Sequence, residues 1–253
     1  LGHQALLKKL MQASKALGTK AAVMTFEPHP REFFMPERAP TRLCSLREKL
    51  EYFSDAGVEQ VYVCAFNRHF AEITAEDFMQ RVLRQSLNAE AILVGEDFRF
   101  GAKRAGSTQD FIQAGFNLIQ LSQLDLGGVR VSSTRVRSAL ADGRLDEAAM
   151  LLGRPYSISG KVVHGAQRGR QLGFPTANVH MRHERPALTG VYAVKLDGLN
   201  AVANLGVRPT IAGVPKLSLE VHVIDFDENL YGQHVHVQFL HKIRDEMKFD
   251  GLD

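Results

Sequence analysis

The amino-acid sequence predicts an α/β domain built on a doubly wound parallel sheet in residues 1–153, followed by an all-β barrel domain in residues 154–253. Two observations support this division. Up to Gly153, short apolar runs with strand character alternate with segments that have the apolar period of a helix. After Gly153-Arg154-Pro155 the helical period disappears, and short runs rich in β-branched residues alternate with turn signals.

Sequence signals for helices and for strands alternate throughout the first half. Ala5–Leu17 has apolar residues at helical spacing and is predicted to be an amphipathic helix. Ser45 and Glu48 have the spacing of a capping box, which predicts a helix start, and Thr74 and Asp77 repeat that pattern. Further helices are predicted at Thr108–Ala114, from Ser133 onward, and at Arg144–Leu152. The predicted strands are Ala21–Phe26, Val58–Phe66, Ala89–Gly95, Asn117–Leu121 and the extended Val129–Ser132.

The second half contains strand signals without helices between them. The predicted strands are Tyr156–Val163, Gly190–Leu196, Ala201–Leu205, Leu217–Ile224 and His234–Phe239. Turn signals such as Asp197-Gly198 and Tyr231-Gly232 separate them. Several short strands at this spacing are best accommodated by a small closed barrel.

Composition limits the function classes. The 253 residues include 31 Lys and Arg against 28 Asp and Glu, so bulk charge does not indicate a nucleic-acid partner. No apolar run approaches the length of a membrane span, and no membrane partner is expected. Cys44 and Cys64 lack metal-ligand spacing and fit free thiols in a reducing, cytoplasmic compartment. No feature indicates an oligomeric state. Leu1 stands directly before a predicted helix, and we expect a segment to precede it.

The stretch Gly160–Asn178 combines glycines, cations and a Pro-Thr-Ala-Asn turn, a composition suited to nucleotide phosphates. Glycines allow a close backbone approach to an anion, and cations neutralise it. Thr176 and Asn178 offer neutral oxygens two residues apart, which suit Mg²⁺ that carries phosphates. The Walker A pattern is absent from the stretch. The alternative interpretation is a basic surface loop that ends in a proline turn.

Several candidate binding residues of the first half follow predicted strands, where ligands of doubly wound sheets are found. They are His29, the loop around Asp97, and Ser133–Arg137. Gly2-His3 lies instead at a predicted helix start, where free N–H groups favour an anion. Each has a simpler alternative: an isolated surface histidine for His3, a solvated turn for His29, and helix N-capping for Ser133 and Thr134.

Glu220 is the candidate acidic residue of the second half. Residues 217–223 alternate between apolar and polar side chains, which places Glu220 on the strand face opposite Leu219 and Val221. If the apolar side chains form the core, Glu220 either lines a pocket or is an ordinary exposed strand residue.

Taken together, these motifs resemble a known family. The second half resembles the riboflavin kinase domain in residues 160–178, Gly190–Val194, Asn204–Thr210, Leu219–His222, Asp225–Gly232 and Phe239–Glu246. The first half is similar to an FMN adenylyltransferase domain of the nucleotidyltransferase class in Leu1–Gln4, Phe26–Pro30, Gly95–Gly101 and Val131–Arg137. The whole chain therefore resembles the bacterial bifunctional riboflavin kinase/FMN adenylyltransferases, also called FAD synthetases.

The resemblance implies a six-stranded type of barrel and a role for each motif residue in the kinase domain. Glu220 would be the general base on the terminal ribityl hydroxyl of riboflavin. Thr176 and Asn178 would hold the Mg²⁺–ATP. The other residues implied in ATP binding are Lys161, His164, Gly165, Arg168 and Gly169. Asn204 and Arg244 would contact the flavin.

For the first domain the resemblance implies that His3 stabilises charge on the phosphates while FMN attacks the α-phosphorus of ATP. The residues implied in ATP binding there are Gly2, His29, Ser133, Thr134 and Arg137. Asp97 and Phe98 would line the flavin pocket. The chain departs from the family pattern before Gly2, where a first strand and an upstream histidine are expected. Two alternatives therefore stay open: a riboflavin kinase with a degenerate first domain, and a flavin- or nucleotide-binding regulator.

Overall fold

The computed structural model describes residues 1–122, 125–164, 176–181, 185–208 and 216–247. The chain forms two compact units. Unit 1 consists of Leu1–Pro40 and Lys49–Val131, and unit 2 consists of Thr41–Glu48 and Ser132–Asp253. Each unit has its own core and is described by itself.

Up to Val131, helices and strands alternate as the apolar periods predict. The helices are α1 (Gly2–Leu17), α2 (Pro30–Phe34), α3 (Leu46–Asp55), α4 (Arg68–Ala71), α5 (Ala75–Asp77) with a wider π-helical continuation over Phe78–Ser86, and α6 (Thr108–Gln113). The strands are β1 (Ala22–Glu27), β2 (Gln60–Ala65), β3 (Ala91–Gly95), β4 (Arg99–Phe100), β5 (Gly106–Ser107), β6 (Asn117–Leu121), β7 (Asp125–Leu126) and β8 (Val129–Arg130). Gly18 ends α1 in the left-handed conformation, with φ of 66°.

Parallel strand pairs form the framework of unit 1. β1 pairs with β2, and β3 pairs with β6, both in parallel register. Within the described residues these are two separate two-stranded sheets and not one continuous sheet. The predicted α/β class with parallel strands is confirmed, and the extent of each sheet is smaller than the alternation suggested.

The core of unit 1 is aromatic. Its buried members come from the π-helical segment, β3, β4 and α6, and they are Phe78, Met79, Leu83, Ile92, Phe100 and Phe111. The rings of Phe100 and Phe111 stack with centroids 4.3 Å apart. The capping box at Thr74 is formed, because its Oγ1 accepts a hydrogen bond of 3.0 Å from the Asp77 N–H.

In its described residues, from Ser132 onward, unit 2 contains two helices and a closed barrel. The helices are α7 (Ser133–Ala141) and α8 (Leu145–Leu152). The strands are β9 (Ser157–Val163), β10 (Ala177–His180), β11 (Gly190–Leu196), β12 (Leu199–Arg208), β13 (Lys216–Val223) and β14 (His234–Arg244). They close in the order β10-β13-β12-β11-β14-β9, with antiparallel pairing throughout.

The six-stranded barrel is confirmed, and one of its strands was missed from sequence. Residues Pro175–Asn178 were interpreted as a turn, whereas Ala177–His180 forms β10. This strand is only four residues long, and Val179 is its single buried side chain. So short a segment contains too few alternations for the two-residue period to be recognised.

The short segment Thr41–Glu48, which lies between β1 and β2 in the sequence, belongs to unit 2. The Glu48 carboxylate, 1% exposed, accepts hydrogen bonds from the backbone N–H of Ser159 at 2.7 Å and of Ser45 at 2.6 Å. The Arg137 Nε donates to the Thr41 carbonyl at 2.6 Å. The capping box at Ser45 and Glu48 is therefore formed, and the same glutamate ties the start of α3 to β9. The longer segment of unit 2 begins at Ser132, while the predicted domain boundary after residue 153 stays a prediction.

We predict that Glu48→Ala lowers the free energy of unfolding by about 3 kcal/mol, because two buried backbone N–H groups lose their acceptor. The measurement is urea unfolding combined with amide hydrogen exchange, in which the Ser159 amide should exchange markedly faster. Glu228→Ala, at an exposed turn position, is the matched control. An unchanged unfolding midpoint with unchanged exchange at Ser159 would contradict this role of Glu48.

Candidate active sites

The outer face of β13 carries the candidate base of the kinase site. Leu219 and Val221 are fully buried in the barrel, and Glu220 between them is partly exposed. Because successive side chains of a strand point to opposite faces, Glu220 lies on the outside of the barrel. The predicted separation of Glu220 from the core is confirmed.

The strand register brings the other predicted residues beside Glu220. Asn178 on β10 pairs with Glu220 from one side, and Asn204 on β12 pairs with it from the other. Directly opposite residues have Cβ atoms about 4.5–5.5 Å apart. Asn204 in turn pairs with Val191, which pairs with Arg244. Asn178, Glu220, Asn204 and Arg244 thus occupy one level of the barrel, and we call them the polar row.

Several oxygen-bearing side chains lie near Glu220. Thr176 is two residues before Asn178 and is likewise partly exposed. The Ser218 hydroxyl lies 3.5 Å from Glu220 Oε1 and donates to it. Mg²⁺ is bound in proteins by oxygen atoms, so the hydroxyl of Thr176 and the amide oxygen of Asn178 fit that ion. Ser218 was missed from sequence, although its two-residue spacing from Glu220 was a usable signal.

The predicted phosphate loop is described only at its ends. Lys161 is exposed on β9, where it pairs with His180 on one side and His234 on the other. The His164 ring stacks on Tyr231 with centroids 3.8 Å apart. Gly165, Arg168 and Gly169 lie outside the described residues. Tyr231 was not among the predicted site residues.

In unit 1, Gly2 and His3 lie in the first turn of α1, which has no side-chain cap. Part of the His3 surface is open to solvent, yet desolvation by surrounding protein is the largest cause that lowers its pKa below the usual 6.5. The positive charge of Lys49 lowers the pKa further. Desolvation and the charge of Lys49 both favour the neutral form of the His3 imidazole. A neutral imidazole still donates one hydrogen bond.

His29 has a structural role besides any ligand contact. Its Nδ1 accepts a hydrogen bond of 3.2 Å from the Arg31 N–H, and the Glu32 carboxylate accepts one of 3.0 Å from the His29 N–H. These two bonds form the capping box that starts α2. The interpretation of this region as a plain solvated turn was therefore incomplete.

The loop after β3 holds the two residues predicted to contact flavin. Asp97 is exposed and forms an ion pair of 3.1 Å with Arg130 of β8. The Phe98 ring stacks on Phe100 and on Phe111, with centroids 5.9 and 6.4 Å apart, so it packs against the aromatic core. Arg130 was missed because no local pattern connects residues so far apart in sequence.

The start of α7 differs from the sequence-based interpretation in one respect. Ser132 is the N-cap, because its hydroxyl accepts a hydrogen bond of 3.3 Å from the Arg135 N–H. Ser133 and Thr134 are exposed residues of the first helical turn, so the suggestion that they cap the helix was wrong. The backbone N–H groups of a first helical turn suit an anion. Arg137, one turn on, contacts Thr41 as described above.

Known families match both halves of the chain. A model described as FAD synthetase matches residues 1–135, and a model described as riboflavin kinase matches residues 152–253. The chain is 45% identical to the bifunctional riboflavin kinase/FMN adenylyltransferase of Escherichia coli K12, with all of the chain and 83% of the relative covered. It is 44% identical to the protein of that name from Haemophilus influenzae, with 100% and 85% covered.

A solved structure shares the fold over nearly the whole chain. It is titled as a macrolide-efflux protein from Streptococcus pneumoniae, and it matches with a TM-score of 0.81 and 31% identity over 99% of this chain and 84% of that one. None of the helices in the described residues combines the length and apolar character needed to cross a bilayer.

The two matched models define a class of transferase with two catalytic domains in one chain. The end-to-end similarity to curated relatives is consistent with that class. The chain belongs to the bifunctional riboflavin kinase/FMN adenylyltransferase family.

The electrostatic surroundings of His3 generate a prediction. In an NMR titration the His3 imidazole should titrate below pH 6.5, and Lys49→Gln should raise its pKa because a nearby positive charge is removed. The His3 signal is assigned by its loss in His3→Gln. A His3 pKa above 6.5, or a pKa that falls in Lys49→Gln, would contradict the electrostatic account.

Proposed function

We propose that this chain catalyses two successive reactions. Riboflavin and ATP give FMN and ADP in unit 2, and FMN and a second ATP give FAD and pyrophosphate at a site that uses residues of the first domain. The observation that carries the kinase assignment is the pairing of Glu220 with Asn178 and Asn204 across three adjacent strands. The kinase-only alternative is disfavoured, because the FAD synthetase model matches residues 1–135.

In the kinase step, Glu220 accepts the proton of the terminal ribityl hydroxyl. The hydroxyl oxygen forms a bond to the γ-phosphorus of ATP while the bond from that phosphorus to the β,γ-bridging oxygen breaks, and ADP leaves. A carboxylate beside the hydroxyl can take up this proton, because the hydroxyl becomes more acidic during its attack on phosphorus. Asn204 and Arg244, in the same row, orient the flavin.

Thr176 and Asn178 would hold Mg²⁺, with Glu220 next to them. When bound, the ion neutralises charge on the ATP phosphates. The protein's own contribution is to fix the nucleotide so that its γ-phosphorus faces the hydroxyl. The other ATP contacts that we propose are Lys161, His164, Gly165, Arg168 and Gly169.

In the adenylyltransferase step, a phosphate oxygen of FMN forms a bond to the α-phosphorus of ATP, and pyrophosphate leaves. His3 donates a hydrogen bond to the phosphate oxygens that gain charge, which a neutral imidazole can do. The remaining ATP contacts that we propose are Gly2, His29, Ser133, Thr134 and Arg137. Asp97 and Phe98 are the proposed flavin contacts.

We further propose that the enzyme acts in the cytoplasm, where ATP is supplied and the thiols of Cys44 and Cys64 stay reduced. Its partners are then its small-molecule substrates. The proposed domain boundary lies after residue 153.

The proposal predicts that the two steps fail separately. Glu220→Gln should lower FMN formation from riboflavin at least a hundredfold, because the proton acceptor is lost, and leave FMN-to-FAD conversion within twofold of wild type. His3→Ala should lower FMN-to-FAD conversion at least a hundredfold and leave FMN formation from riboflavin within twofold of wild type. The measurement is chromatography of products after incubation with ATP, Mg²⁺ and either riboflavin or FMN.

Glu228→Gln is the control for a change of charge on the barrel, and it should affect neither step. Equal loss of both steps in Glu220→Gln, in protein with wild-type thermal unfolding, would contradict two separate sites. Full FMN formation by Glu220→Gln would remove Glu220 from the mechanism.

A further inference from the structure

Glu246 is a carboxylate near the polar row that has no role in the mechanism above. It follows β14 and lies against the backbone of Gly206 on β12. A Cβ atom at residue 206 would overlap with the Glu246 carboxylate, so the carboxylate occupies the space where any other residue would carry its side chain. A side chain at residue 206 would therefore have to displace this carboxylate.

The register places Gly206 next to the proposed base. Gly206 pairs with Ser218, whose hydroxyl donates to Glu220. Gly206 is also two residues from Asn204, on the same outer face of β12. Relative to Glu220 it is a diagonal neighbour across the two strands, a position about 7–8 Å away. Glu246 thus adds a second carboxylate to the face that carries Asn204 and Glu220.

The path of the chain toward this position is fixed by a second glycine. Gly190 has φ of 123°, and a Cβ there would lie 2.7 Å from the Arg244 carbonyl oxygen. The end of β14 therefore packs directly on the backbone of β11. An ion pair of 2.6 Å between Lys242 and Asp245 lies in the same segment. The backbone just before Glu246 thus packs closely on β11, and the Glu246 carboxylate lies against Gly206 of β12.

Carboxylate oxygens accept hydrogen bonds, so a ligand of Glu246 must donate them. The donors of riboflavin are its ribityl hydroxyls and the imide N–H of its ring. We propose that Glu246 is a riboflavin-binding residue of the kinase site, where its carboxylate accepts hydrogen bonds from a secondary ribityl hydroxyl or from the ring imide N–H while Glu220 acts on the terminal hydroxyl. This inference rests on the kinase function proposed above.

The test is steady-state kinetics of FMN formation by the full chain. Glu246→Ala should raise the KM for riboflavin about tenfold, the loss expected for one hydrogen bond to a charged acceptor, and leave kcat within twofold. Gly206→Ala should have the same effect, because the added methyl displaces the carboxylate. The double variant should be no worse than either single variant. Asp245→Ala, which removes the neighbouring charge, should leave the KM for riboflavin unchanged.

Analogues that each lack one donor identify the group bound by Glu246. Among 2′-, 3′- and 4′-deoxyriboflavin and 3-methylriboflavin, the analogue that lacks the donor bound by Glu246 should have the same KM in wild type and in Glu246→Ala. A wild-type KM for riboflavin in Glu246→Ala would overturn the inference and leave the kinase function standing. A loss confined to kcat would also overturn it. No FMN from the wild type would overturn the proposed function itself. If Gly206→Ala fails to fold, the KM of Glu246→Ala for riboflavin tests the inference by itself.

Discussion

The pairing of β13 between β10 and β12 is the constraint on which the proposed kinase site depends. A shift of that pairing by one residue would turn Glu220 into the barrel and expose Leu219 or Val221. Burial of these two apolar side chains opposes such a shift, and an unpaired carboxylate in the core would add to its cost. The hydrophobic core therefore fixes the register, and the register sets Glu220 between Asn178 and Asn204. Packing inside the barrel thus determines which side chains lie together on its outside.

A similar dependence of a polar arrangement on packing is seen elsewhere in unit 2. Thr41–Glu48 is distant in sequence from the barrel but belongs to its compact unit, through the Glu48 carboxylate at Ser159 and the Arg137 side chain at Thr41. Arg137 thus serves the structure of α7 as well as any role in binding ATP. Arg137 therefore makes a structural contact in addition to the role in ATP binding that we propose for it.

Much of the fold was predictable because the spacing of apolar residues in the sequence indicates which side chains are buried. Residues 217–223 alternate, and the structure buries every second side chain of Leu219–Val223. Helix ends were predictable where a capping box or a glycine marks them, as at Ser45 and Gly18. Strand β10 was not, because four residues with one buried side chain carry no period. Partners such as Arg130 for Asp97 were unpredictable, because long-range proximity leaves no local trace. The polar row could not be predicted, because it depends on the strand register, which residue types alone do not specify.

The most direct test of the central claim is a crystal structure of the full chain with riboflavin, Mg²⁺ and a non-hydrolysable ATP analogue. The account predicts the terminal ribityl hydroxyl at about 2.6–3.2 Å from a Glu220 carboxylate oxygen. It also predicts flavin contacts along β12 and the metal ion beside Thr176 and Asn178. Riboflavin bound elsewhere on unit 2, with Glu220 out of reach of its hydroxyl, would contradict the assignment of the polar row as the kinase site.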